Sequence, residues 1–261
     1  MTVEFVGKIV VVSGGSSGIG FAIAQAFALR GAQTALISSS EGKLSAAAER
    51  IAEDGSLRPF TIKADLRDLS SCERAYQLVA ERFGQCDALV NSAGATRAGA
   101  FLIQSDADWQ DGFALKFYAS VRLCRLFWPM LKTSQGVVIN IIGGAARVPD
   151  PEFLVGGAVN GAMANFTKGL AGLGKRDGVN VNAILPGPTE TDRLISLFEQ
   201  RAAAAGLKVE EVKQAMAAKD GVRRLGRPED VAQLAVFLAG ASARHIQGTS
   251  IAVDGGASPC V

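Results

Sequence analysis

Short aliphatic and β-branched runs recur along the chain at 8–12, 34–38, 59–63, 87–91, 136–142, 179–185 and 250–253. Between them lie amphipathic or alanine-rich stretches near 18–30, 41–53, 69–83, 106–132, 154–175 and 228–240. The first set predicts strands and the second helices. Val137-Val138-Ile139 followed by Ile141-Ile142 suits a strand buried on both faces. Strands separated by helices imply right-handed crossovers and a parallel sheet covered on both sides. The expectation is one doubly wound α/β domain spanning 1–261, with about seven strands. The segment 189–224 departs from this rhythm, being helical, alanine-rich and charged, and it reads either as a lid over a site or as plain surface helices.

Composition narrows the functional classes. With 261 residues, 48% hydrophobic and 20% charged, the chain can bury a sizeable core. Its net charge of +2 comes without a Lys/Arg run, so nothing points to nucleic acid or an acidic membrane. No apolar run is long enough to span a bilayer. Met1 to Phe5 lacks the basic and apolar regions of a secretory signal, and a cytoplasmic location is the default expectation. Cys72, Cys86, Cys124 and Cys260 are scattered without a CxxC pair and read as small core residues. His245 is the only histidine, which argues against a His-rich metal site and a Ser-His-Asp triad; no metal site is expected.

Ser13-Gly14-Gly15-Ser16-Ser17-Gly18-Ile19-Gly20 lies between the first strand and the first helix. Glycines there let the chain turn tightly and let a pyrophosphate approach, while the helix N-terminus offers free N–H groups and partial positive charge. Candidate cofactor residues in this stretch are Ser13, Gly14, Ser16, Ser17, Gly18, Ile19 and Gly20. Ser38 and Ser39 end the second strand. Asp65, with Leu66, follows the third, where a carboxylate accepts from an adenine amino group or caps a helix. Asn91, Ala93 and Gly94 follow the fourth, with small residues for a ribose and Asn91 to brace neighbouring strands. Pro186, Gly187, Thr189 and Thr191 follow the sixth, suited to a carboxamide. Each cue alone is weak, but all stand at strand C-termini, where a nucleotide crevice forms.

These motifs resemble the short-chain dehydrogenase/reductase family. The likeness covers essentially the whole chain, from the 13–20 loop through Arg227-Pro228-Glu229-Asp230 to Val253-Asp254-Gly255-Gly256. It implies a Rossmann sheet in the order 3-2-1-4-5-6-7, a nicotinamide cofactor, a small-molecule substrate, and a homo-oligomer, often a tetramer packed through the fourth and fifth helices. The family's usual chemistry uses an Asn on the fourth helix, a Ser after the fifth strand, and a Tyr and Lys four residues apart on the next helix. Tyr donates a proton as hydride arrives, and Lys lowers its pKa. Aligned on Asn165-Phe166-Thr167-Lys168, the Tyr slot holds Gly156, the Lys slot Asn160, the Ser slot Gly143 and the Asn slot Lys116. Only Tyr76 and Tyr118 exist to substitute. Tyr118 stands roughly 200° around a regular helix from Lys116, and Tyr76 belongs to the third helix, so both read as packing residues.

The Lys and Asn types have exchanged places. The reading is that Lys116 delivers its ammonium from the opposite helix with Asn160 as its partner, and that a buried, depressed-pKa lysine moves a proton near neutrality. The competing reading is a Lys116 that reaches the surface or pairs with a carboxylate. Gly143-Gly144 and Gly156-Gly157 predict an enlarged pocket. Arg147 is a candidate clamp for a substrate carboxylate, and Asp150 or Glu152 a base or a helix cap. Neither an Asp for NAD nor an Arg for NADP follows the second strand, and hydroxyls without a carboxylate lean the cofactor towards NADP over NAD. Three functions compete: an atypical NAD(P)-dependent oxidoreductase on a small carbonyl or alcohol, a redox-silent nucleotide-binding sensor or oligomer partner, and a non-redox isomerase or lyase.

Overall fold

The computed structural model describes residues 4–260, the side chain of Arg193 excepted. Seven strands, β1 (Ile9–Ser13), β2 (Gln33–Ser38), β3 (Phe60–Lys63), β4 (Ala88–Asn91), β5 (Val137–Ile141), β6 (Asn180–Pro186) and β7 (Ser250–Val253), form one sheet in the order 3-2-1-4-5-6-7. Every pairing is parallel. Within β1 the two-residue alternation sends Val10 and Val12 into one core and Val11 into the other. Both faces are thus apolar, and β1 and β5 are buried at every position.

One face is covered by α1 (Gly18–Ala28), α2 (Glu41–Glu53) and, from the far end of the chain, α9 (Pro228–Ala239). The other is covered by α3 (Leu69–Phe83), α5 (Ala119–Ser134) and α6 (Leu154–Asp177). The chain order reverses between β1 and β4, which opens a crevice beyond their carboxyl ends. No helix of the described residues is long and apolar enough to cross a membrane.

The helix expected over 106–132 is interrupted. It runs as α4 (Asp106–Gly112), a π turn over Phe113–Tyr118, and then α5. α4 starts on a reciprocal Ser105–Asp108 capping box. At Gly112, a Cβ would stand 2.9 Å from Val155 Cγ1, so the missing side chain lets α6 approach. The widened turn carries a ring ladder in which Phe117 meets Phe113 and Phe166, each at 6.0 Å. Such insertions recur at functional sites, and this one carries Lys116.

The segment 189–224 folds as a helical hairpin, α7 (Asp192–Ala205) and α8 (Val209–Lys219). Phe198, Ala217 and Leu225 give it a small core of its own. A backbone bridge between Thr189 and Gly226 closes its base.

Candidate active site

The crevice holds a cavity of about 580 Å³. Its first wall is the turn between β1 and α1. Gly14 has φ +69°, and a Cβ there would stand 2.8 Å from the Ala93 amide of the neighbouring loop. At Gly20 a Cβ would fall 2.2 Å from the Gly14 carbonyl oxygen. Bare backbone is the only way to close this turn. Ser17 is extended at the N-cap of α1 and gives no side-chain cap, so first-turn N–H groups are left for a ligand. Gly14, Ser16, Ser17, Gly18, Ile19 and Gly20 all line the cavity.

Ser38 and Ser39 continue the wall, and Ser16 Oγ donates to Ser38 Oγ at 2.8 Å. Asp65 and Leu66 face the cavity beside them. Asp65 does not cap the following helix; Asp68 does, accepting from the Ser71 amide at 3.0 Å. The sequence reading missed Arg67, which also lines the cavity and binds Asp65 at 3.2 Å and Asp111 of α4 at 2.5 Å. The Asp111 hydrogen bond is the main cause holding the Arg67 pKa above its usual value, and Arg67 holds Asp111 below its own. Only the i, i+2 spacing from Asp65 hinted at this arginine.

Of the other candidate cofactor residues, Ala93, Gly94, Pro186 and Thr191 also line the cavity. Ser13, Asn91, Gly187 and Thr189 stand behind it. Ser13 Oγ accepts from the Ser92 and Ala93 amides, both at 3.2 Å. Asn91 donates to Asn140 Oδ1 at 2.8 Å, and Asn140 to Thr167 Oγ1 at 2.9 Å, which ties β4 through β5 to α6. At Gly187, Asp254 packs close enough to forbid a side chain, and Thr189 donates back to the Gly187 carbonyl. These four brace the wall rather than form it.

At the other end Lys116 enters from the π turn. Its stem runs along Gly94, where a Cβ would come within 2.9 Å of Lys116 Cδ. The ammonium donates to the Ile142 carbonyl and to Asn160 Oδ1, each at 2.7 Å. The opposed pair read from the sequence therefore meets. Among the described residues Lys116 pairs with no carboxylate, and its ammonium is held by Ile142 and Asn160. Lys116 lines the cavity and is part-buried overall, and burial pushes its pKa down to about 8.

The expected enlargement of this pocket is corrected. The space beside Gly156 is filled, since a Cβ there would lie 2.0 Å from the Phe153 ring. The space beside Gly143 is taken by the Asn160 amide, 3.1 Å from where a Cβ would stand. Gly143 also has φ +121°, a backbone that L side chains rarely adopt. Gly144 and Gly157 have no backbone or side-chain neighbour that close, at 3.9 and 3.6 Å.

Tyr118 is half exposed on the outside of the π turn, and Tyr76 packs edge-on against Phe127 with centroids 5.2 Å apart. Neither lines the cavity. Arg147 donates to the Ser250 carbonyl at 2.7 Å and does not line the cavity. Asp150 accepts from the Glu152 amide at 2.9 Å, which is the capping role. Cys72, Cys86 and Cys124 are buried, whereas Cys260 is exposed and is no core residue. His245 is exposed. Among the described residues no group of His, Cys, Asp and Glu is arranged to hold a metal.

Residues 14–258 match the family model described as enoyl-(acyl carrier protein) reductase, a short-chain dehydrogenase/reductase model. The chain is a short-chain dehydrogenase/reductase. An uncharacterized oxidoreductase of Mycobacterium tuberculosis (strain CDC 1551 / Oshkosh) is 34% identical over 251 residues, 95% of this chain and 91% of that one. L-sorbose reductase from Gluconobacter frateurii, solved with NADPH and L-sorbose, superposes with a TM-score of 0.96 at 29% identity, over the full length of both chains. A short-chain dehydrogenase from Burkholderia cenocepacia J2315, solved with NADP, gives a TM-score of 0.86 at 30% identity, covering 97% of this chain and 99% of that one. Membership makes this an oxidoreductase-family chain.

Proposed function

We propose that this short-chain dehydrogenase/reductase is an NADP(H)-dependent oxidoreductase that interconverts a small carbonyl compound and its alcohol, with Lys116 in the place of the family's tyrosine. The observation that carries the reading is the Lys116 ammonium, held by Ile142 and Asn160 on a side chain that lines the same cavity as the glycine loop. The glycine loop and the uncapped start of α1 would hold the pyrophosphate. Ser38 and Ser39, with Ser16, would take the adenosine ribose and tolerate its 2′-phosphate, since no carboxylate ends β2. Asp65 would accept from the adenine amino group, and the Pro186–Thr191 turn would meet the carboxamide. The NADPH and NADP bound by the two similar solved structures support the phosphorylated cofactor.

When bound, the reduced dinucleotide supplies hydride to the carbonyl carbon. The residues of this chain handle the other half of the reaction. As the C=O electron pair moves onto oxygen, Lys116 releases a proton to it and is left neutral, and water restores the proton. A pKa of about 8 suits this, because the ammonium is the main form at neutrality yet gives up its proton more readily than an ordinary lysine. Asn160 and the Ile142 carbonyl keep the amine in place throughout. The 192–219 hairpin acts as the lid, as Thr191 and Asp192 at its base already belong to the cavity wall. A cytoplasmic homo-oligomer, tetramer or dimer, completes the proposal.

The experiment has two parts. Fluorescence titration should give tighter binding for NADPH than for NADH. A panel of ketoses and simple ketones, beginning with L-sorbose, should then oxidise NADPH, followed by loss of its near-ultraviolet absorbance. Tight NADPH binding without turnover of any carbonyl or alcohol would make the chain a nucleotide-binding protein without redox activity. Turnover without net change in the cofactor would make it an isomerase or lyase.

A further inference from the structure

Asn160 has a second feature beyond holding Lys116. The side chain is 4% exposed, and its Oδ1 accepts from Lys116. An ammonium has no acceptor, so the amide orientation is fixed with Nδ2 on the other side. Among the described residues Nδ2 has no hydrogen-bond acceptor, yet the atom is not sealed from solvent. It lies 3.1 Å from the position a Cβ of Gly143 would occupy, and Gly143 lines the cavity. Lys116 has a matching vacancy. Two of its three N–H donors go to Ile142 and Asn160, leaving one on a side chain that also lines the cavity.

Two unengaged donors thus flank a residue with no side chain. We propose that Lys116 Nζ and Asn160 Nδ2 form a two-donor cradle for a single substrate oxygen that gains negative charge, with Asn160 a catalytic residue in its own right. The inference rests on the oxidoreductase reading above and gives its substrate a required feature, a carbonyl oxygen free to take two hydrogen bonds. The bond changes are those of carbonyl reduction: a C–H bond forms from hydride, the C=O π pair moves to oxygen, and the proton comes from Lys116. Asn160 keeps its protons and stabilises the oxyanion before transfer. Gly143 is required because a side chain there would cover Nδ2.

Acetate serves as the oxyanion probe and does not depend on turnover. In protein carrying ¹³C-labelled lysine, acetate should shift the Lys116 resonance, and Asn160→Ala and Lys116→Met should each weaken acetate binding at least about tenfold, with NADPH affinity unchanged. Asn160→Asp separates donation from positioning. It keeps an acceptor for the ammonium but removes the N–H, and its carboxylate also raises the Lys116 pKa, so the two effects are read apart on the pH profile: a residue that only positions Lys116 would move the profile to higher pH and leave its plateau within about tenfold of wild type. Loss of the donor should instead lower kcat by about 10²–10³. Equal acetate affinity in wild type and Asn160→Ala, or an Asn160→Asp profile that is displaced in pH but keeps its plateau within about tenfold of wild type, overturns the cradle. If no carbonyl is reduced but the acetate response and its loss in Asn160→Ala are both seen, the redox reading fails while the cradle stands.

Discussion

The glycine-loop end and the Lys116 end of the cavity lie at the same edge of the sheet but are made of different parts. At the first end the backbone forms the wall. Gly14 and Gly20 meet other backbone atoms at distances that exclude a side chain, and α1 presents uncapped N–H groups. At the second end side chains have redistributed around missing ones. Phe153 lies over Gly156, the Asn160 amide stands beside Gly143, and Lys116 crosses from the opposite helix to the residue it has exchanged types with. A site made of backbone cannot change without losing the turn itself. A site made of side chains can be rebuilt if the volumes and donors still balance.

The largest effect should come at the rebuilt end. Lys116→Met should lower turnover by about 10²–10⁴-fold, the usual contribution of a positioned acid, with NADPH affinity little changed in fluorescence titration. If both fall together, the two ends are not separable. The reverse test is Gly20→Ala. A methyl 2.2 Å from the Gly14 carbonyl forces the loop to shift, at about 1–3 kcal/mol, so NADPH affinity should drop by about 10–100-fold. The Lys116 resonance of that variant should stay in place.

Next is the packing of Phe153 on Gly156. Gly156→Ala should destabilise by about 1–3 kcal/mol in thermal or urea melts through its clash with the ring. Phe153→Ala in the same chain should remove most of that penalty, a non-additivity expected only of residues in contact. If the double variant is the sum of the singles, the ring does not fill the vacated space.

The smallest effect at neutral pH is the titration of Lys116 itself. Reduction needs the ammonium, so its kcat/KM should fall above about pH 8, and alcohol oxidation should rise over the same range. The folded pKa is the depressed one, so the unfolded chain binds more protons between about 8 and 10.5. Stability should therefore rise with pH through that window, and Lys116→Met should flatten the rise.

The sequence by itself determined the architecture and the backbone end of the site. Period-two and period-3.6 patterns are local, so strands such as β2, expected over 34–38 and found over Gln33–Ser38, were legible within a residue or two. A glycine needed for close approach is also written directly in the chain, and the exchange of Lys116 and Asn160 was readable as residue types. Only the tertiary structure decided what filled the vacated positions. The π turn that carries Lys116 follows a Gly112 packed close against Val155 of α6, and Arg67 joins Asp111 from another element. Phe153 over Gly156 and the free amide beside Gly143 are matters of volume and direction in three dimensions. A missing side chain leaves a space, and which neighbour enters it is set by packing between segments distant in the chain, which no local pattern encodes.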